Sequence, residues 1–323
     1  MNRRQLLSLA PGLAAFALNG QAMAQTSNWP SRPVRIVVPF GAGSGNDIVA
    51  RLMADRLSRK LGQTFIVDNR VGANGAIGAD VVAHSTPDGY TLFITTNTTQ
   101  AANPSLMKRL NYDPIKDFTP ISRLANTPAL LVVHPSVAAK TLPELIALAK
   151  SKPGKLSYAS GSAGTLVPGA MLVHAAHIDM LSVPYKTIPQ ALNDVIAGQV
   201  EMMFTDMATG LPQVRAGKVR AIGISSAQPA ALLPDVPPIA KTLPGFELLA
   251  WYALYAPRGT PANVIDKLNA ETRAILADRD VQERFSALGL EPMSSSPQEL
   301  AVFGRSELEK WGRLIKATGI EAE

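Results

Sequence analysis

The 323-residue chain contains no cysteine. That excludes disulfides, thiol nucleophiles and cysteine-ligated metals or clusters. Histidine is nearly as scarce: His84, His134, His174 and His177 are the only four. Imidazole is the usual general base and metal ligand, so little is left from which to build either kind of site. His174 and His177 stand three apart on one helical pattern, but no further histidine or carboxylate clusters with them in sequence, and they read as partly exposed helix residues. Aromatic residues make up 6% of the chain, and no basic block is interleaved with them. The formal charge of +6 therefore gives no nucleic-acid reading, and suits weak steering of small anions instead. No apolar run reaches the roughly 20 residues that span a bilayer.

What the N-terminus does have is Arg3-Arg4, an apolar stretch from Leu6 to Leu18, and Ala22-Met23-Ala24. A basic region, a short apolar region and a small-x-small site in that order read as a signal peptide over 1–24, removed on export to the periplasm. The two arginines suit either the general secretory or the twin-arginine route. A mature chain of the remaining length, drawn from a sequence that is 46% hydrophobic, buries a full core without disulfide staples.

Strand and helix patterns then alternate along the chain, which predicts α/β layers with mostly parallel sheets. Two stretches read as crossings between lobes. Asn97 to Arg123 is polar and turn-rich, and Gln228 to Pro244 carries five prolines, which continue neither a helix nor a central strand. The predicted organisation is a first lobe built from 25–126 and 241–323, the latter including the C-terminal helices, with a second lobe over 127–240. The cleft between them lies beyond the carboxyl ends of the strands, where such sheets bind ligands.

Two loops face that cleft. The strand Val34–Val38 runs into Pro39-Phe-Gly41-Ala-Gly43-Ser-Gly45-Asn46-Asp47. Its glycines allow a tight turn and close backbone approach. Asn46 or Asp47 is expected to cap a helix whose apolar face is Ile48, Leu52, Met53 and Leu57. A helix N-terminus of this kind offers N–H groups and a positive dipole end to phosphate, sulfate or carboxylate. In the second half, Ser160-Gly-Ser-Ala-Gly-Thr165 repeats the arrangement, before a helix expected to start near Val167 or Pro168. Either loop alone is equally well a tight turn; one per lobe points to a shared ligand. The first loop lacks the third glycine of a dinucleotide fingerprint, where Asn46 stands. The second has Ser160 where a nucleophile elbow requires glycine, and no base accompanies it. Trp251 and Tyr252 read as core or hinge packing.

These segments are similar to the periplasmic substrate-binding receptors of tripartite tricarboxylate transporters, the Bug receptors. The resemblance covers the whole mature chain. It rests on Trp29-Pro-Ser-Arg-Pro33, the first loop through Asp47, Val67-Asp-Asn-Arg70, Pro87-Asp-Gly-Tyr-Thr-Leu92, Asn103-Pro-Ser-Leu106, Lys152-Pro-Gly-Lys-Leu156, Val183-Pro-Tyr-Lys186, Leu233-Pro-Asp-Val-Pro237 and Ala256-Pro-Arg-Gly-Thr-Pro261, in order. It implies a two-lobed, type II periplasmic binding protein fold that closes on a small organic acid and delivers it to membrane permease subunits. It further implies a monomer with no catalytic residue, metal or cofactor. By the same resemblance the pocket positions are Phe40, Ala42, Gly43, Asp47, Thr96, Asn97, Ser160, Gly161, Gly164, Thr165, Tyr185, Thr205 and Asp206. Asp47 is expected to orient its own loop, and Asp206 to select an amino or hydroxyl group. Ser44 and Asn46 replace the family's usual glycine and threonine. Leu166-Val-Pro168 replaces a polar run, and Thr187-Ile188 replaces two glycines. A more apolar wall follows, and with it a ligand having one carboxylate and an aliphatic or aromatic body, although a dicarboxylate stays open. A binding protein that presents its ligand to a sensor or an enzyme fits the same residues; a carboxylate-processing enzyme ranks third.

Overall fold

The β-branched run Val34–Val38 forms a strand (β1) with four of its five residues buried. A computed structural model describes residues 29–323, so the expected signal peptide over 1–24 lies outside the described residues. After β1 come helix α1 (Gly45–Leu61), β2 (Phe65–Asn69), α2 (Ala76–Ala83), β3 (Thr91–Thr96) and α3 (Asn103–Leu106). The chain continues through β4 (Phe118–Val133), α4 (Leu142–Ser151), β5 (Ser157–Ser160), α5 (Ala163–Ala176), β6 (Leu181–Pro184) and α6 (Ile188–Ile196). Then follow β7 (Met202–Asp206), α7 (Met207–Arg215), β8 (Arg220–Ile224), β9 (Leu249–Pro257), α8 (Ala262–Ala277), α9 (Arg279–Ala287), β10 (Glu291–Pro292) and α10 (Pro297–Ala317). No helix among the described residues is long and apolar enough to cross a membrane.

The strand order is β2-β1-β3-β9-β4-β7-β5-β6, with β8 and β10 also paired to β4. The organising element is β4, 16 residues long. Its first part, Phe118 to Pro128, pairs with β9; its last part, Ala129 to Val133, leaves that sheet and pairs with β7 and β8. Register shifts at Pro120/Ser122 and Arg123/Ala125 mark bulges along the first part, and bulges bend and twist a strand. The chain returns beside this crossing. The Ser225 N–H donates to the Ala129 carbonyl, and the Leu248 N–H donates to the Ser225 carbonyl. The Ser225 hydroxyl accepts from the Ala129 N–H at 2.8 Å and donates to the Leu248 carbonyl at 2.5 Å. One buried serine thus ties both crossings together.

The expectation of mostly parallel sheets needs correcting. Pairs β1–β2, β1–β3, β5–β6 and β5–β7 are parallel. Pairs β3–β9, β4–β9, β4–β7, β4–β8 and β4–β10 are antiparallel. The chain leaves the first sheet along β4 and comes back along β9, so the two must run in opposite directions. The stretch from Asn97 to Arg123 is likewise not a turn-rich crossing. It holds a π-helical turn over Thr98–Ala102, then α3, then the start of β4. Thr98, Thr99, Gln100 and Asn103 are buried there, and several of their polar groups are bonded within the protein. Tyr112 Oη donates to the Thr99 carbonyl at 2.8 Å, and Asn103 Nδ2 donates to Tyr112 Oη at 3.1 Å.

Each sheet carries an apolar core on both faces. Val49, Ala50, Met53 and Leu57 of α1 pack on one face of the first sheet. The other face holds Trp251 and Trp311 together with Ala163 and Val167 of α5. The N-terminus of α5, a second-sheet helix, is therefore seated against the first sheet.

Candidate functional site

The first loop is shaped by its own residues. The Ser44 N–H donates to the Gly41 carbonyl at 3.1 Å, closing a tight turn, and Gly43 has a φ of +81° that glycine adopts without strain. The cap of α1 is Ser44, whose hydroxyl accepts from the Asp47 N–H at 3.3 Å; neither Asn46 nor Asp47 takes that place. Asp47 accepts instead from the Gly43 N–H at 3.0 Å, Arg51 Nε at 2.9 Å and Asn69 Nδ2 at 2.9 Å. Burial opposes its charge, but the hydrogen bonds from Arg51, Gly43 and Asn69 outweigh that and hold the carboxyl below the ordinary range. Its acceptor oxygens are occupied by loop and helix.

The second loop also starts its helix earlier than Val167. Ser162 caps α5 in a reciprocal arrangement with Thr165. Thr165 Oγ1 accepts from the Gly161 and Ser162 N–H groups at 2.9 and 3.2 Å. The Ala163 N–H donates across the cleft to Asn74 Oδ1 at 3.0 Å. Pro168 lies inside the helix rather than at its start.

A third element closes the site. Asp206 caps α7, accepting from the Thr209 N–H and hydroxyl at 2.9 Å each, and its carboxylate stands against Gly45 of the first loop. A Cβ on Gly45 would stand 2.5 Å from both Asp206 Oδ1 and the Tyr252 hydroxyl. Burial pushes the Asp206 carboxyl up despite these donors. Burial, and then the nearby Asp206, pushes the Tyr252 hydroxyl well above its usual value.

Between these elements lies a narrow cavity of about 40 Å³, with about 440 Å³ of empty space once its mouth is included. Phe40, Ser44 and Asn46 line it from the first loop, and Thr96, Asn97 and Thr98 from the end of β3. Pro128 and Ala129 line it where β4 changes sheets, Ser162, Gly164 and Thr165 at the start of α5. Ile188, Asp206, Ala250 and Tyr252 complete the wall, which contains no lysine, arginine or histidine.

Six of the positions implied by the family resemblance are thus on this wall: Phe40, Thr96, Asn97, Gly164, Thr165 and Asp206. The others stand off it. Ala42 and Gly43 form the exposed crest of their loop, and Asp47 faces back into it. Ser160 and Gly161 lie buried beneath the start of α6, where a Cβ on Gly161 would be 2.5 Å from the Ile188 nitrogen. Tyr185 turns away and donates to Asp194 at 2.8 Å. Thr205 is buried beneath α7, with its Cγ2 against Gly210. The sequence reading missed Ser44, Asn46, Thr98, Pro128, Ala129, Ser162, Ile188, Ala250 and Tyr252. For Ala250 and Tyr252 a signal existed, since alternate residues of a strand share a face. Ser44 and Asn46 required the phase of α1, which follows only once Ser44 is known to be the cap.

Two side chains on this wall are left wanting. Asn46, 3% exposed, has neither its Nδ2 nor its Oδ1 hydrogen-bonded; Asn97, 1% exposed, has Nδ2 without a partner. The main-chain N–H groups of Asn46 and Gly164 also have no acceptor among the described residues. Asn97 and Gly164 converge, because a Cβ on Gly164 would lie 3.5 Å from Asn97 Nδ2. Buried polar groups are almost always paired, so this cavity is built to receive a polar partner.

The raised carboxyl of Asp206 gives a pH test. A group whose value is raised on folding contributes stability that is fully present in acid and lost as pH rises through its folded value. Asp206→Asn keeps an oxygen for Thr209 and caps a helix equally well, yet carries no charge. Its melting temperature is expected to gain on the wild type as pH climbs from about 4, the ordinary carboxylate value, toward neutrality. A widening deficit over that range would contradict the assignment.

A sequence profile described as tripartite tricarboxylate transporter family receptor (TctC) matches residues 49–320. The chain is 33% identical over 325 residues to protein BugT of Bordetella pertussis, covering 99% of each. A solved structure described as R. palustris Rpa4515 with adipate superposes with a TM-score of 0.90 at 33% identity, covering 91% of this chain and all of that one. MatC (Rpa3494) from Rhodopseudomonas palustris with bound malate gives 0.84 at 34% identity, covering 89% of this chain and 100% of that one.

Proposed function

Since this chain belongs to the tripartite tricarboxylate transporter receptor family, we propose that it is a periplasmic receptor that closes on a small organic carboxylate and passes it, chemically unchanged, to a membrane permease of that transporter type. The observation that carries this is the unpartnered Asn97 Nδ2, which lies beside Gly164 in the first turn of α5. Neutral donors and a helix N-terminus suit a carboxylate without needing a cation. Hydrogen bonds to a charged group contribute about 1.5–3 kcal/mol each. Three of them, with an apolar body buried against Phe40 and Ile188, are of the size that a micromolar complex of about −8 kcal/mol requires.

Closure follows from where the contacts fall. The Ala163 N–H bonds to Asn74 between the lobes, and Gly45 stands against Asp206 across them. A ligand held by both lobes favours the closed arrangement by its differential affinity for it. The proposed pivots are β4 at Pro128–Ala129 and the return at Leu248, which divides the described residues into one lobe of 29–128 with 249–323 and another of 129–248. The walls of Phe40, Pro128, Ala129, Ile188 and Ala250 favour an aliphatic or aromatic body.

Calorimetry on ligand-stripped protein tests the reading. At least one monocarboxylate with an apolar body is expected to bind one-to-one with micromolar or lower Kd and to be recovered intact, while inorganic phosphate gives no heat. Tight binding of citrate and malate with silence from aromatic monoacids would sink the apolar-body assignment. Turnover of the bound acid would sink the receptor assignment.

A further inference from the structure

Asn97 and Gly164 account for a carboxylate but leave the corner of the cavity at the start of α1 unexplained. There the first turn of α1, the Asp206 carboxyl and the Tyr252 hydroxyl meet around Gly45. Asn46 lines the same cavity from the next position in the helix. Its carboxamide is buried with a donor and an acceptor both idle. We propose that Asn46 sets the specificity of this receptor by pairing with a hydroxyl group on the ligand, so that the preferred solute is a hydroxylated monocarboxylate rather than a dicarboxylate. The proposal rests on the carboxylate-receptor reading above and names the class of acid within it.

The chemistry of the corner selects among the alternatives. A second carboxylate only accepts, so it would leave Asn46 Oδ1 unpaired and bring negative charge toward Asp206. An ammonium only donates, and would leave Asn46 Nδ2 unpaired. A hydroxyl both donates and accepts, and satisfies the carboxamide while adding no charge. Leaving one buried polar atom unpaired corresponds to a loss of roughly ten- to a hundred-fold in affinity. Asp206 is already the acceptor for Thr209, and Tyr252 brings a hydroxyl to the same wall, but Asn46 is the group here with a buried donor and a buried acceptor both idle.

The experiment is calorimetry on the ligand-stripped protein with two matched sets: butyrate, its terminal hydroxy derivative and succinate; hexanoate, its terminal hydroxy derivative and adipate. In one set or the other the hydroxy acid is expected to bind about ten-fold or more tightly than both the unsubstituted acid and the diacid. In Asn46→Leu the ratio between hydroxy and unsubstituted acid is expected to collapse toward one. Asn46→Ser, whose short hydroxyl also donates and accepts, is expected to keep part of it. A diacid that binds tightest in the wild type overturns the proposal while leaving the carboxylate receptor standing. So does a hydroxyl preference that survives undiminished in Asn46→Leu. Silence from every acid, in a protein shown by circular dichroism to be folded, overturns both.

Discussion

Gly45→Val is expected to weaken carboxylate binding on the order of 100-fold while both sheets stay folded. Here the first loop meets the opposite lobe, and an added Cβ would stand 2.5 Å from Asp206 Oδ1. Asp206 is fixed by Thr209 at the start of α7, so the lobes must stay apart, and the bond from Ala163 to Asn74 is stretched with them. The same Cβ would stand 2.5 Å from the Tyr252 hydroxyl, which belongs to Gly45's own lobe, so that ring is displaced within the lobe. Gly43 differs, because its demand is conformational (φ +81°) and its nearest cross-cleft neighbour, Pro189, is 4.0 Å from a Cβ. Calorimetry measures the affinity, and small-angle scattering measures the opening as a larger radius of gyration in saturating ligand. Wild-type affinity in Gly45→Val would mean that the bound state does not bring Gly45 against Asp206.

The second large effect is on stability. Trp311 of α10 and Trp251 of β9 are both fully buried, and both indole N–H groups donate to the carboxylate of Glu307, at 3.0 and 2.9 Å. Trp311→Ala opens a cavity in the core behind the site and removes one of the two donors. Truncations of this kind cost about 3–5 kcal/mol. For a domain of this size that corresponds to a fall in melting temperature of roughly 5–15 °C. Urea denaturation is expected to show a lower midpoint with an unchanged slope, since the surface exposed on unfolding stays the same. A loss below about 1 kcal/mol would mean that α10 melts separately from the sheet it covers.

The parts of the fold that were readable from the chain are those in which local pattern and final environment agree. Val34, Ile36, Val37 and Val38 are apolar because their parallel strand is covered on both faces, with Arg35 the one half-buried charge in it. The glycines at 41, 43 and 45 marked a loop that must come close to something. Where polarity hides inside the protein, the same logic misleads. Thr98, Thr99, Gln100 and Asn103 look like surface residues but are buried, paired to backbone and to Tyr112 contacts that no local window contains. The first half of β4 carries Pro120, Pro128, Ser122, Arg123 and Asn126, a composition of turns. It is a strand because β9, more than a hundred residues later, lies beside it. Within the site, Asn97, Gly164 and Asp206 came through family resemblance. Tyr252 and Ser225 depend on which strands meet, a long-range fact that composition does not carry. Asp47, by contrast, followed from charge alone: a carboxylate at an anion site has to be turned inward.

The wall of the cavity has no lysine, arginine or histidine, and this has a consequence for the medium in which the protein works. Dissolved salt weakens attraction between exposed ions over a screening length of about 8–10 Å at ordinary ionic strength. Backbone N–H groups and carboxamides enclosed between two lobes are fixed dipoles that mobile ions do not reach. An acid held by them feels nearly the same grip in dilute and in saline surroundings. On the receptor reading proposed above, capture of a negative charge would be separated from dependence on counter-charge, and the affinity would follow shape rather than ionic strength.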